Sequence, residues 1–241
     1  MALSLPNTSL SANDTRILNA LFDPETLPSS ISRSKDLSII DASLPSHPTI
    51  PSTQLSTLET QQNNLVRNIT SSSTPSSIQD AIRQEDEIIR ENPEYASAFL
   101  NRAMLRRMGM EATLSEGKSI FDLPESEVEG LFSDLSRAVA LCVPSSSGSA
   151  AAVSPYQARI LRTAFSHRAY LYLKAAESDV ELRGKGRSEL EELASGDFAA
   201  AARYGDEVAR EMSVRTNPYA KMCGAIVRNA LAEERKEAMT Q

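Results

Sequence analysis

Few side chains in this sequence are suited to catalysis. Its 241 residues include two histidines and two cysteines, which are His47, His167, Cys142 and Cys223. They stand far apart, and each cysteine lies in an apolar segment with no histidine nearby, which predicts two buried free thiols. The motifs G-x-x-x-x-G-K-[S/T], G-x-S-x-G and H-E-x-x-H do not occur in the sequence. We therefore expect that the chain is not an enzyme and uses no cofactor or metal ion.

Two polar residues recur at the same place in a repeated motif. The pattern F-x-[N/H]-R-A begins at Phe99 and again at Phe165, and its third residue is Asn101 in the first copy and His167 in the second. Each copy opens an apolar segment with helical spacing. Repetition of this kind predicts a fold built from stacked helical units, with Asn101 and His167 at equivalent positions.

Composition and charge narrow the class of partner. Hydrophobic residues make up 41% of the chain, aromatic residues only 5%, and there are nine glycines, which favours a helical core over strands. The formal net charge of −7 argues against binding to nucleic acid or to an anionic membrane surface. The sequence shows no signal peptide and no apolar stretch long enough to span a bilayer. We therefore expect the protein in the cytoplasm or the nucleus.

The helices that position these residues are predicted to form one domain behind an irregular tail. Residues 1–52 are rich in serine and proline, with a short amphipathic segment at 13–22 that predicts a helix. That helix caps the domain, lies as a lid in or beside the groove, or is offered to a partner, and the sequence leaves these interpretations open. Residues 53–241 are predicted to hold three helical hairpins and a terminal cap, at about 54–92, 95–143, 156–205 and 206–239.

The spacing matches the tetratricopeptide pattern, a helical hairpin of about 34 residues. With Pro93 at the final proline of one repeat, Phe99 and Ala103 take the large and small positions that open the next. Phe165 follows Phe99 by 66 residues, so about 32 residues are inserted. We place insertions at 111–129, 144–158 and 178–189. The sequence predicts an all-α tetratricopeptide superhelical solenoid, and the alternative is an unrelated helical bundle that shares the spacing by chance.

Five motifs are spread over most of the chain. They are Leu18-x-x-Leu21-Phe22-Asp23-Pro24, Tyr95-Ala-x-Ala98-x-x-Asn101-Arg102-Ala103, Asp134-Leu135-x-Arg137-Ala138-Val139, Asp197-Phe198-x-x-Ala201-Ala202-Arg203-x-Gly205 and Asn217-Pro218-Tyr219-Ala220-x-Met222-Cys223. Together they resemble the tetratricopeptide repeat protein 36 family. The serine-rich linker and the insertions depart from the compact pattern of that family. The resemblance implies a three-repeat protein that binds heat-shock protein 70.

The resemblance also implies a binding site on the concave face of the stacked hairpins. In chaperone-binding tetratricopeptide domains, an asparagine at the position of Asn101, with lysine and arginine around it, clamps a C-terminal carboxylate. Here Val66 and Thr70 stand where lysine and asparagine are expected. The predicted partner-binding residues are Asn101, Met104, Arg107, Arg162, His167, Arg168 and Tyr170. The competing interpretation is that Asn101 and Arg102 hydrogen-bond to a neighbouring helix.

The expected function is that of a non-catalytic adaptor or co-chaperone. Its groove is predicted to bind a peptide or helix of a protein partner, and the resemblance implies that the partner is heat-shock protein 70. Two other functions stay open. One is a scaffold or stabilising regulator of a metabolic enzyme or signalling protein unrelated to chaperones, and the other is an assembly subunit of a larger complex. We expect a monomer without a nucleic-acid, membrane or small-molecule substrate partner.

Overall fold

The computed structural model describes residues 40–70, 72–143 and 152–224, together with residues 226, 229, 230 and 232. The predicted helix at 13–22 and most of the predicted tail lie outside these residues. In the described part the regular secondary structure is helical, apart from isolated bridges between Ile40 and Val153 and between Leu182 and Lys185. The prediction of an all-helical chain is confirmed.

Seven helices follow one another in chain order within the described residues. They are α1 (Ser52–Arg67), α2 (Pro75–Glu91), α3 (Ala96–Thr113), α4 (Glu125–Cys142), α5 (Pro155–Glu177), α6 (Arg187–Arg203) and α7 (Glu207–Thr216). A short 3-10 helix, Ile120–Asp122, lies between α3 and α4. Residues 218–224 are also helical.

Local chemistry sets where several of these helices begin. The hydroxyl oxygen of Thr74 accepts from the Ser77 amide at the start of α2, and Ser154 accepts from the Gln157 amide at the start of α5. A proline follows each of these two capping residues, where its missing amide costs nothing and its fixed φ suits a helix. These caps satisfy amides that a helix leaves without partners at its first turn.

The helices pack as consecutive pairs whose first members lie side by side. Backbone contacts join α3 to α4, α5 to α6, and each pair to the next through α2–α3 and α4–α5. The first helices also meet one another. α3 contacts α5, Asn101 of α3 bonds to Gln62 of α1, and Arg159 of α5 forms a 2.9 Å ion pair with Glu59 of α1. One layer of the array therefore consists of α1, α3 and α5.

The core is unevenly distributed along the array. The largest cluster runs through α3 to α6, and its fully buried members include Leu131, Phe132, Leu135, Leu161, Ala169, Ala175 and Leu190. The first pair contributes only two small clusters, which are centred on Leu55 and Leu58 against Ile88, and on Ile78 and Ile82 against Leu105. The backbones of α1 and α2 also stay farther apart than those of the other consecutive helices. Burial of apolar surface therefore stabilises the first pair less than the others.

Residues 40–50 run along the helical array before α1 begins. The Asp41 amide donates to the Val153 carbonyl at 2.9 Å, and the Ser154 hydroxyl donates to the Ser46 carbonyl at 3.1 Å. Val153 and Ser154 are fully buried. This part of the predicted linker thus covers the start of α5.

Candidate functional site

The arginine of each F-x-[N/H]-R-A motif bonds to an acid on the second helix of its pair. Arg102 donates from Nε and Nη2 to the two carboxylate oxygens of Asp134, at 2.9 and 2.5 Å. Arg168 does the same to Asp197, at 2.6 and 2.8 Å. Each guanidinium also lies 5.5 Å from the ring centre of the phenylalanine that opens its motif. The repeated sequence is thus a repeated structural device that joins first helix to second.

Arg168, one of the predicted partner-binding residues, donates its hydrogen bonds within the helical array. Its third donor group, Nη1, bonds to the Ser136 hydroxyl at 3.1 Å. Arg168 and Asp197 are 18% and 12% exposed. The guanidinium therefore connects α4, α5 and α6 and does not face the open layer of first helices.

Asn101 belongs to a polar chain that crosses three helices. Its side-chain amide donates to Gln62 Oε1 on α1. Gln62 in turn donates to Glu85 Oε2 on α2 at 2.5 Å. Gln62 and Glu85 are buried, and Glu85 Oε1 makes no hydrogen bond with any described residue. The structure thus shows Asn101 and Arg102 bonded to neighbouring helices, as the competing interpretation expects.

Burial raises the pKa of Glu85 to about 7, although the Gln62 hydrogen bond and the Arg102 charge oppose the rise. An amide cannot neutralise a carboxylate as a guanidinium does. Near neutral pH this carboxyl group is therefore protonated in a large fraction of the molecules.

His167 occupies the position that matches Asn101 but has a different environment. Burial and, to a lesser extent, the positive charge of Arg107 together lower its pKa to about 4. Its Nε2 lies 3.4 Å from Arg107 Nη1. The imidazole is therefore neutral at physiological pH and supplies no positive charge to a carboxylate.

Four residues form an open surface on α3 and α5, which we call the α3–α5 surface: Met104, Arg107, Tyr170 and Lys174. Met104 and Tyr170 are large apolar side chains that are 42% and 38% exposed. The Arg107 guanidinium lies 4.9 Å from the centre of the Tyr170 ring, and Lys174 Nζ lies 5.7 Å from it. An apolar contact area flanked by cations is thus presented between two first helices.

The structure brings three of the predicted residues together on this surface, Met104, Arg107 and Tyr170, with His167 behind them. Arg162 is exposed on α5 and has no ion pair with a described residue. Sequence reasoning missed Gln62 and Lys174. Lys174 follows Tyr170 by one helical turn, so the spacing alone could have indicated it. No sequence signal pointed to Gln62, because α1 carries no copy of the motif.

The described residues offer no metal site and no membrane-spanning helix, and their two thiols are unpaired. No three His, Cys, Asp or Glu side chains of the described residues are grouped to hold a metal ion. None of the helices, as far as they are described, is long and apolar enough to cross a membrane. Both cysteines are free, and burial raises the pKa of Cys142 to about 12. The expectation of two buried thiols is wrong for Cys223, which is exposed because helical residues 218–224 present that side to solvent.

Stacked helix pairs with an open surface are typical of helical proteins that bind other proteins, and this chain has that architecture. The chain is 40% identical over 247 residues to the L-tyrosine degradation gene cluster protein hmgX of Aspergillus fumigatus, covering 94% of this chain and 93% of that one. It belongs to the family of that protein.

The similarity to tetratricopeptide proteins is more distant. Tetratricopeptide repeat protein 36 of Homo sapiens is 29% identical over 144 residues, which cover 60% of this chain and 54% of the human protein. The Bos taurus protein is 28% identical over the same length. No family model and no solved structure matches the chain. The resemblance seen in the sequence therefore has distant support over 60% of the chain, and the similarity to hmgX is the stronger one.

Proposed function

We propose that the chain is a non-catalytic tetratricopeptide-type adaptor that binds and stabilises an enzyme of L-tyrosine degradation. The main support for this proposal is the similarity to a protein of an L-tyrosine degradation gene cluster, which extends over nearly the full length of both chains. Among the functions that the sequence leaves open, this one corresponds to the stabilising regulator of a metabolic enzyme.

The repeated geometry of the second and third helix pairs supports the tetratricopeptide part of the proposal. Arg102 and Arg168 make the same bidentate contact and the same ring contact, although the residues between the pairs differ in length and sequence. Chance similarity in a helical bundle would not be expected to place both contacts alike. Stacked hairpins of this type present their first helices to partners.

The α3–α5 surface supports the adaptor part. Met104 and Tyr170 are among the most exposed large apolar side chains of the described residues within the helical pairs. Exposed apolar side chains that cluster usually mark a contact area for another molecule, and tyrosine and arginine are enriched where binding energy concentrates. Arg107 and Lys174 lie beside them, and each forms an exposed ion pair with an acid of its own helix, Glu111 or Glu177. Exposed pairs of this kind are weak and can exchange for acids of a partner, so the fitting partner is a segment with apolar residues flanked by acids.

The site chemistry favours an enzyme partner over heat-shock protein 70. A carboxylate clamp needs free amide and cationic donors at the motif positions. Asn101 donates to Gln62, Arg168 is bonded to Asp197, and His167 has a pKa lowered to about 4. The comparisons give no support to a chaperone partner either.

Binding of purified proteins tests the proposal. Each enzyme of L-tyrosine degradation from the same organism is titrated with the chain in a calorimeter. One enzyme should bind, and its half-life at elevated temperature should increase. The double variant Met104→Glu, Tyr170→Ala should weaken binding about tenfold or more, whereas Val208→Glu, which changes another exposed apolar residue (71% exposed, on α7), should leave it unchanged.

Two results contradict the proposal. The first is that none of the enzymes binds. The second is that heat-shock protein 70 binds with comparable strength to the wild type and the double variant, which would favour a chaperone function through another surface.

A further inference from the structure

A cavity of about 440 Å³ lies between α2, α3 and the start of α4. Its α3 residues Arg106, Met110 and Thr113 recur every three or four positions. On a helix this spacing places them on one face, and Met104 lies on the opposite one. We call it the Arg106 cavity, and its volume is within the range of small-molecule sites.

The inner wall of the Arg106 cavity is apolar. It is formed by Ile78 and Ile82 of α2, Met110 of α3, and Leu123 from the segment before α4. The first three are buried and Leu123 is half-buried. A wall of branched and flexible apolar side chains suits a flat hydrocarbon body such as an aromatic ring.

One wall carries a guanidinium without hydrogen bonds. Asp134 accepts from Arg102 through both carboxylate oxygens, and its Oδ2 also forms an ion-pair contact with Arg106, 3.2 Å from the Arg106 Nε. That buried nitrogen makes no hydrogen bond with the described residues. A guanidinium has five N–H donors. The Arg106 side chain is 32% exposed, and its terminal N–H groups make no hydrogen bond with a described residue. They can therefore donate to a ligand carboxylate while Nε stays beside Asp134.

A glycine on α4 leaves space for the Arg106 guanidinium. Gly130 lies inside α4, where glycine is unfavourable relative to alanine. A Cβ at this position would overlap Nη1 of Arg106. The glycine thus permits Arg106 to lie against α4 at the cavity wall.

Two acids at the rim of the Arg106 cavity restrict the charge of a ligand that can bind there. Asp86, which accepts from Arg102 at 2.7 Å, and Glu127, whose side chain has no hydrogen bond with a described residue, both line the cavity. They can accept from an ammonium or hydroxyl group and repel a second negative charge. A phosphate or a dicarboxylate is therefore disfavoured.

We propose that the Arg106 cavity binds a small molecule with one carboxylate, an apolar aromatic body and a polar donor, of which an aromatic amino acid is the simplest case. The carboxylate accepts from Arg106, the ring lies against Ile78, Ile82 and Met110, and the ammonium group faces Asp86 and Glu127. Such a ligand site is separate from the α3–α5 surface, so the two can be tested independently.

Titration of the ¹⁵N-labelled full chain followed by NMR tests the site. L-phenylalanine is the probe, and its comparators are phenethylamine, which lacks the carboxylate, and L-alanine, which lacks the ring. We expect saturable shifts of the Gly109 and Thr113 amides with L-phenylalanine and much weaker binding of both comparators. Absence of saturable shifts at millimolar L-phenylalanine, or equal affinity for phenethylamine, would overturn the proposal.

Three variants assign the binding to the cavity. Arg106→Gln should weaken binding of L-phenylalanine about tenfold or more, as expected for loss of a charge-assisted hydrogen bond. Because Arg106 also contacts Asp134, Gln79→Trp provides a second variant that fills the cavity from an exposed rim position and should also abolish binding. Arg83→Gln, an exposed arginine on α2, is the control. Unchanged affinity in both cavity variants would refute the assignment.

Discussion

The two helices of the first pair are joined by a different polar contact from the one that joins the helices of the two later pairs. In each pair a polar side chain of the first helix donates to an acid on the second, and the three contacts are Gln62–Glu85, Arg102–Asp134 and Arg168–Asp197. A guanidinium neutralises its acid, whereas an amide leaves the charge uncompensated. The pKa of Glu85 is accordingly raised to about 7. All three contacts are hydrogen bonds, but only the two arginines of the repeated motif also compensate the charge of the acid, and Gln62 of α1 does not.

Apolar burial follows the same division. The main cluster lies in α3 to α6, while α1 buries only Leu55, Leu58 and Gln62. The first pair is therefore expected to open locally at lower free energy than the rest. Four predictions test this comparison, in order of expected effect.

The largest effect is expected from Asp134→Ala. This change leaves Arg102 and Arg106 beside each other without the acid that both contact. Breaking a buried ion pair by removing one partner costs about 3–5 kcal/mol of unfolding free energy. Urea unfolding measures it, with Glu87→Ala, an exposed acid on α2, as the control. A loss below about 1 kcal/mol would mean that the Arg–Asp contact does not hold the pair together.

Glu85→Gln should remove a pH-dependent change of about 3 kcal/mol in the unfolding free energy. The folded-state pKa of Glu85 is raised from 4.5 to about 7, so the folded state binds more protons in this interval. Its contribution to stability is full below pH 4.5 and is lost as the pH rises through 7. Glutamine can still accept from Gln62. The variant should therefore be more stable than the wild type at pH 8 by urea unfolding, and equal pH slopes would contradict the account.

Arg168→Ala should cost about 2–3 kcal/mol of unfolding free energy, because Asp197 then loses its bidentate partner in a half-buried site. The cost should be smaller than that of Asp134→Ala, where two arginines lose one acid. Thermal and urea unfolding measure stability, and calorimetry measures partner binding at a temperature where the variant is folded. Loss of binding in a variant of unchanged stability would instead support the sequence-based prediction that Arg168 contacts the partner.

The smallest effect concerns His167, which we compare with His167→Asn, the residue of the other motif copy. The folded-state pKa is lowered from 6.5 to about 4. Its contribution to stability is full above pH 6.5 and is lost as the pH falls through 4. At pH 5 the unfolding free energy of the wild type should have fallen by about 1–2 kcal/mol through this group, and that of the variant should not. An NMR titration of the imidazole checks the cause directly, and a pKa near 6.5 would contradict the burial that the structure shows.

The all-helical array was predictable from the sequence because apolar residues recur at helical spacing and the F-x-[N/H]-R-A motif repeats. The bidentate contacts were not, because periodicity does not say which of the many acids each arginine meets. Met104, Arg107 and Tyr170 were predicted together on one surface. The neutral state of His167 could not be foreseen, because it results from burial against α3, and that depends on how separate helices pack.

The central claim is that the α3–α5 surface binds an enzyme of L-tyrosine degradation. Hydrogen exchange of the chain, alone and in complex with the enzyme that binds it, tests this claim most directly. We predict slower exchange at residues 104–111 and 167–174 in the complex, with residues 75–91 unchanged. Protection confined to residues outside α3 and α5 would contradict the claim.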